Sequence, residues 1–65
     1  MPKYPKAKVQ LTGEDGNGFM IVNRVRAALR KAGCGEDVVT EFTKQATSGD
    51  YTHLLATCHE WVRVR

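Results

Sequence analysis

Disulfide-forming cysteines, interior prolines and long apolar runs are all scarce in this 65-residue chain, and each shortage removes a class of protein. Two cysteines, Cys34 and Cys58, fall far short of the framework that staples a small secreted domain, and nothing resembling a signal peptide precedes them. A reducing, cytoplasmic setting is therefore expected. No apolar run approaches the roughly 20 residues of a membrane helix, which predicts a soluble protein with no membrane partner. Both prolines fall within Met1–Pro5, a segment that reads as an extended arm. The chain shows no internal repeat and no low-complexity segment.

What is present suffices for one small core. Apolar residues make up 42% of the chain, including one Trp, two Tyr and two Phe, a composition that argues against wholesale disorder. So short a chain without disulfides must use nearly all of its apolar side chains. We expect a flexible basic arm over 1–6 and a single globular domain over 7–65.

Ala7, Val9 and Leu11 alternate with Lys8 and Gln10, the period of a half-buried strand. From Phe19 to Ala32 the period becomes helical, with Ile21, Val22, Val25, Ala28, Leu29 and Ala32 in one arc, and Gly33 is placed to stop it. Glu36 and Asp37 would open a second helix, favourably near its positive end, with Val38, Val39, Phe42 and Ala46 inward and Gly49 at its close. Asp50 would cap a third helix carrying Tyr51, Leu54, Leu55, Cys58, Trp61 and Val62 on its apolar side. In the final residues Val62 and Val64 would point inward and Arg63 and Arg65 outward, as a short strand. Pairing that strand with the first would satisfy their backbone groups. The predicted fold class is α+β: a small β-α-α-α-β domain in which three amphipathic helices pack with a short N-terminal strand paired to a C-terminal one.

The segment Gly13–Gly18 (GEDGNG) imitates three ligand loops without completing any. Phe19 and Met20 stand where a phosphate-binding P-loop needs Lys and Ser or Thr. Ile21 replaces the third glycine of a dinucleotide fingerprint, and two acids would repel phosphate. Asp15 and Asn17 begin like a calcium loop, but Phe19 and Arg26 stand where an oxygen ligand and a bidentate Glu should be. The segment reads as a turn, with Asn17 able to cap the next helix and Glu14 with Asp15 as acidic contact candidates for a basic partner. Cys34, His53, Cys58 and His59 lack the paired spacing of a structural zinc site, so no metal or other cofactor is expected. Cys58 shares an apolar helix face, where a thiol is inert, and His59 and Glu60 are adjacent and do not align on a helix. A chain this short is also not expected to hold a substrate-sized pocket, and we expect no enzyme. Phe19, Met20 and Tyr51 either complete the core or form a dimer patch, which leaves the oligomeric state open.

Ten Lys and Arg against seven Asp and Glu give +3, and the arrangement is more informative than the sum. Lys3, Lys6 and Lys8 gather at the start, Arg24, Arg26, Arg30 and Lys31 on the first helix, and Arg63 and Arg65 at the end. Arg26 and Arg30 would form a ridge with Asn23, while Arg24 and Lys31 would lie on the opposite flank. Paired terminal strands would bring Lys6, Lys8, Arg63 and Arg65 to one face or edge. These eight residues, Lys6 to Arg65, are the candidates for contacting a partner or phosphate. The competing reading is a solvated helix face and charged strand edges that discourage aggregation. No interleaved aromatics offer a platform for stacking bases. Thr47–Asp50 spaces helices two and three like a helix-turn-helix, but Thr52, His53, Thr57 and Glu60 are poor readers of a major groove.

The segments VQLTGEDGNGFMIVNRVRAALRKAG and ATSGDYTHLLATCHEWVRV resemble a family of very small uncharacterised bacterial, bacteriophage and prophage proteins. The pattern is GEDGN, a Phe, an Ile-containing helix with Arg-Val, ALR and AG, then ATSGDY, LL and WV. It departs at Gly18, where Ala is expected, and at Asn23, where a glycine commonly stands. The resemblance implies a shared fold and a phage or mobile-element context, and supplies no catalytic or binding residue. Together with the absence of catalytic chemistry it suggests a non-enzymatic protein that binds a host protein or complex, including a defence component. The alternative is an accessory protein that binds nucleic acid through its basic clusters.

Overall fold

The computed structural model describes residues 1–10 and 18–65. Leu11 and the turn residues Gly13–Asn17, with the contact candidates Glu14 and Asp15, lie outside the described residues. The elements run β1 (Tyr4–Val9), α1 (Gly18–Lys31), α2 (Glu36–Ala46), α3 (Tyr51–Trp61) and β2 (Val62–Val64), with β1 and β2 paired in one sheet. This is the expected α+β order.

The two strands run parallel, with Tyr4 opposite Val62, Lys8 opposite Arg63 and Val9 opposite Val64. A parallel pair needs a long crossover, and the three helices supply it. The register shifts between Tyr4 and Lys8. Pro5 lies inside that interval and has no N–H to donate to the ladder. One face of the sheet meets the helices through Ala7, Val9 and Val62, while Lys6, Lys8 and Arg63 are exposed.

β1 begins earlier than the alternation from Ala7 suggests, so Tyr4, Pro5 and Lys6 belong to the sheet rather than to an arm. Tertiary contacts explain the extension. The Lys3 amide donates to the Glu60 carbonyl at 2.9 Å, and the Tyr4 ring lies 5.7 Å from the Trp61 ring. Lys3 Nζ sits 4.4 Å from the centre of the Trp61 ring, a cation–π contact.

Phe42 and Leu29 are fully buried, and Phe42 meets Trp61 edge to face at 5.6 Å. Ile21, Val22, Val25 and Leu29 carry the buried stripe of α1, and Val39, Phe42 and Ala46 that of α2. Several residues depart from the expected helix faces, Ala28, Ala32 and Val38 by being only half-buried. Tyr51 is exposed at the opening of α3, and Leu55 is only half-buried. Thr57, expected outside the core face, is buried, because its hydroxyl donates to the His53 carbonyl at 2.8 Å and leaves its methyl to pack.

The helix boundaries follow local chemistry. Gly33 takes φ +93° just past α1, a conformation that favours glycine, and the Cys34 amide returns to the Leu29 carbonyl. Asp50 caps α3 by accepting the His53 amide at 2.9 Å. His53 Nε2 then reaches back to the Gln45 carbonyl at 2.8 Å and lies 3.1 Å from Ser48 Oγ. That ring passes so close to Gly49 that a Cβ there would stand 2.8 Å from His53 Cγ. The α2–α3 turn is thus locked by a hydrogen-bonded histidine.

Candidate functional site

The basic residues meet three different fates. Arg30 does not stand free beside Arg26: its Nε and Nη2 donate to the Glu36 carboxylate at 2.8 and 3.1 Å, a clamp across the turn from α1 to α2. The paired hydrogen bonds hold the Glu36 carboxyl below its ordinary range, helped by the charges of Arg30 and Arg26, and raise Arg30. Arg24 on the other flank donates through Nη1 to the Gln10 carbonyl at 3.1 Å and so anchors the chain just after β1. Lys31 is exposed at the end of α1. The ridge expected on the first helix is therefore broken up by tertiary partners.

The strand bases do come together. Lys8 and Arg63 are opposite one another in the register, and Lys6 and Arg63 are exposed on strands whose alternate residues are buried. The Arg65 amide donates to the Val9 carbonyl at 2.9 Å, which extends the ladder one residue beyond β2. A shallow depression of about 250 Å³ lies between Lys8 and Arg65, lined also by Val9 and Gln10.

Arg26 belongs to a feature that the sequence did not suggest. An open concavity of about 380 Å³ lies between the first half of α1, the end of α2 and the start of α3. It corrects the expectation that so short a chain lacks such a pocket: the ends of three short helices meet around it. Its apolar wall comes from Phe19, Val22, Ala46, Tyr51 and Leu54, and its polar margin includes Asn23, Arg26 and Asp50. Phe19 is 81% exposed and Tyr51 41%, and Met20 beside them is 45% exposed, so these three do not complete the core. The hydroxyls of Thr43 and Thr47 are spent on the carbonyls of Val39 and Thr43, and Asp50 on its cap. Arg26 Nε, by contrast, is buried and has no acceptor among the described residues. Buried N–H groups usually find one. Trp61 Nε1, in the core, is likewise buried without an acceptor among the described residues.

Cys58 is buried on α3, and burial pushes its thiol up to about 11; Cys34 is half-buried beyond α1. His53 is engaged in the α2–α3 turn and His59 is exposed. Among the described residues no three His, Cys, Asp or Glu side chains cluster to hold a metal, and no helix is long and apolar enough to cross a membrane. No protein-family model, curated protein or solved structure matches the chain.

Proposed function

We propose that this is a small non-enzymatic binding protein of phage or prophage type, which docks on a host protein through the groove between α1, α2 and α3. The occupant is a segment of that protein carrying an apolar side chain next to a carboxylate. One observation carries the reading: an apolar concavity whose marginal guanidinium has a buried, unmatched N–H. The apolar side chain would fill the wall of Val22, Ala46 and Leu54, and the carboxylate would accept from Arg26. A desolvated, charge-assisted hydrogen bond beside an apolar anchor is the composition of an interface hot spot. Inhibition of a host complex, including one used in defence, would follow from occupying such a segment.

The test is affinity capture from a nuclease-treated bacterial lysate with the unaltered protein, Arg26→Met and Thr47→Trp. Thr47 is exposed at the margin, where an indole would obstruct the groove. The proposal expects a discrete protein bound by the unaltered chain and lost from both variants. Recovery of the same proteins by all three, or of none after nuclease, would overturn it.

A further inference from the structure

On the far side of the molecule from its helices, the sheet presents a second surface with different chemistry. β1 and β2 contain no acidic residue, and Lys6, Lys8 and Arg63 are all exposed on them. Lys8 and Arg63 are direct neighbours across the strands, and like charges so placed oppose each other. Among the described residues the only ion pair is Arg30–Glu36, so none of their carboxylates is paired with a cation of this face. Arg65, tied into the ladder through its amide, adds a fourth cation beside the depression it shares with Lys8.

We propose that this face binds the phosphate backbone of double-stranded nucleic acid, with Lys6, Lys8, Arg63 and Arg65 as the contacting cations. Protection of a strand edge from aggregation would be served by isolated lysines. It does not call for two arginines, whose planar donor forks match phosphate oxygens. A duplex suits the surface better than a single strand. The Tyr4 and Trp61 rings are packed against each other and Lys3 covers Trp61, so no aromatic on this face is left to stack on bases. A two-stranded ribbon also has dimensions that a major groove admits. Contacts limited to phosphate predict affinity without sequence preference.

Four neutralised phosphates give a slope of about −3.6 in log affinity against log salt, so binding should weaken roughly 150-fold between about 50 and 200 mM. The experiment is fluorescence anisotropy of a short labelled DNA duplex over that range. It uses the unaltered protein, a Lys8→Gln/Arg63→Gln double variant and a Lys44→Gln control on α2, each checked for native circular dichroism. The double variant should bind more weakly with a slope near −1.8, about half, and the control should keep the original slope. The proposal is overturned if the slope is unchanged in the double variant or if Lys44→Gln lowers it equally. It is also overturned if polyglutamate competes as well as unlabelled duplex at equal charge, which would assign the face to acidic protein, or if single strands bind more tightly than duplex.

Discussion

Arg26→Met separates a binding role for the groove from a structural one. An N–H buried without an acceptor costs about 1–3 kcal/mol. Arg26 as a whole is only half-buried, which places its burden at the low end, about 1 kcal/mol. Methionine keeps an unbranched stem of similar reach and has nearly the same helix propensity. The substitution therefore removes the desolvation cost while retaining the packing, and the variant should be more stable by about 1 kcal/mol. For a domain of this size that raises Tm by roughly 4–8 °C. Glu36 loses the weaker of its two attractions, but its pair with Arg30 is exposed and screened, so the correction is small. Urea unfolding followed by the fluorescence of Trp61, the single tryptophan, gives the measurement, with circular dichroism as a second probe. The midpoint should rise at unchanged slope. A variant destabilised by about 1 kcal/mol would show that Arg26 holds the helices together, and the argument for an unspent donor would fail.

Two further outcomes test the surroundings. At pH 8 a thiol reagent should label Cys34 of the folded protein and reach Cys58 only after denaturant is added, because burial raises the Cys58 pKa to about 11; equal native rates would contradict its burial. Glu36 titrates lower in the folded chain than unfolded, so its contribution to stability is present above the ordinary carboxylate pKa of about 4.3 and is lost as pH falls through the lower, folded value. Glu36→Gln should flatten part of the fall in Tm between pH 5 and 3, and an undiminished acid transition would refute that role for the clamp.

The features legible in the sequence are those decided within a few residues. Asp50 as a cap, Gly33 as a stop and the buried stripe of α1 follow from local hydrogen bonding and helical period. The pairing of the terminal strands was inferable from their alternation, but its parallel sense and its irregularity at Pro5 depend on where three helices deliver the chain. Tyr4 shows the same limit: nothing beside it predicts a strand, and its place is set by Trp61 near the other end. The basic ridge on α1 was sound as helix geometry. Within it Arg30 is taken up by Glu36, on another segment, as Arg24 on the opposite flank is by Gln10. The groove left no signal, since it is a gap where helix ends meet rather than a pattern within one of them.

The union of the first and last elements also bears on how the protein reaches its fold. Each helix is built from contacts between near neighbours and can form within about a microsecond, whereas the Tyr4–Val62 pairing must close a loop of almost the whole chain. Loop-closure entropy opposes that step until the strands and Trp61 settle together. The transition state for folding is thus expected to lie at the meeting of the two strands. Substitutions at Ala7 or Val62 should slow folding, while those on the outer turns of α2 should chiefly hasten unfolding.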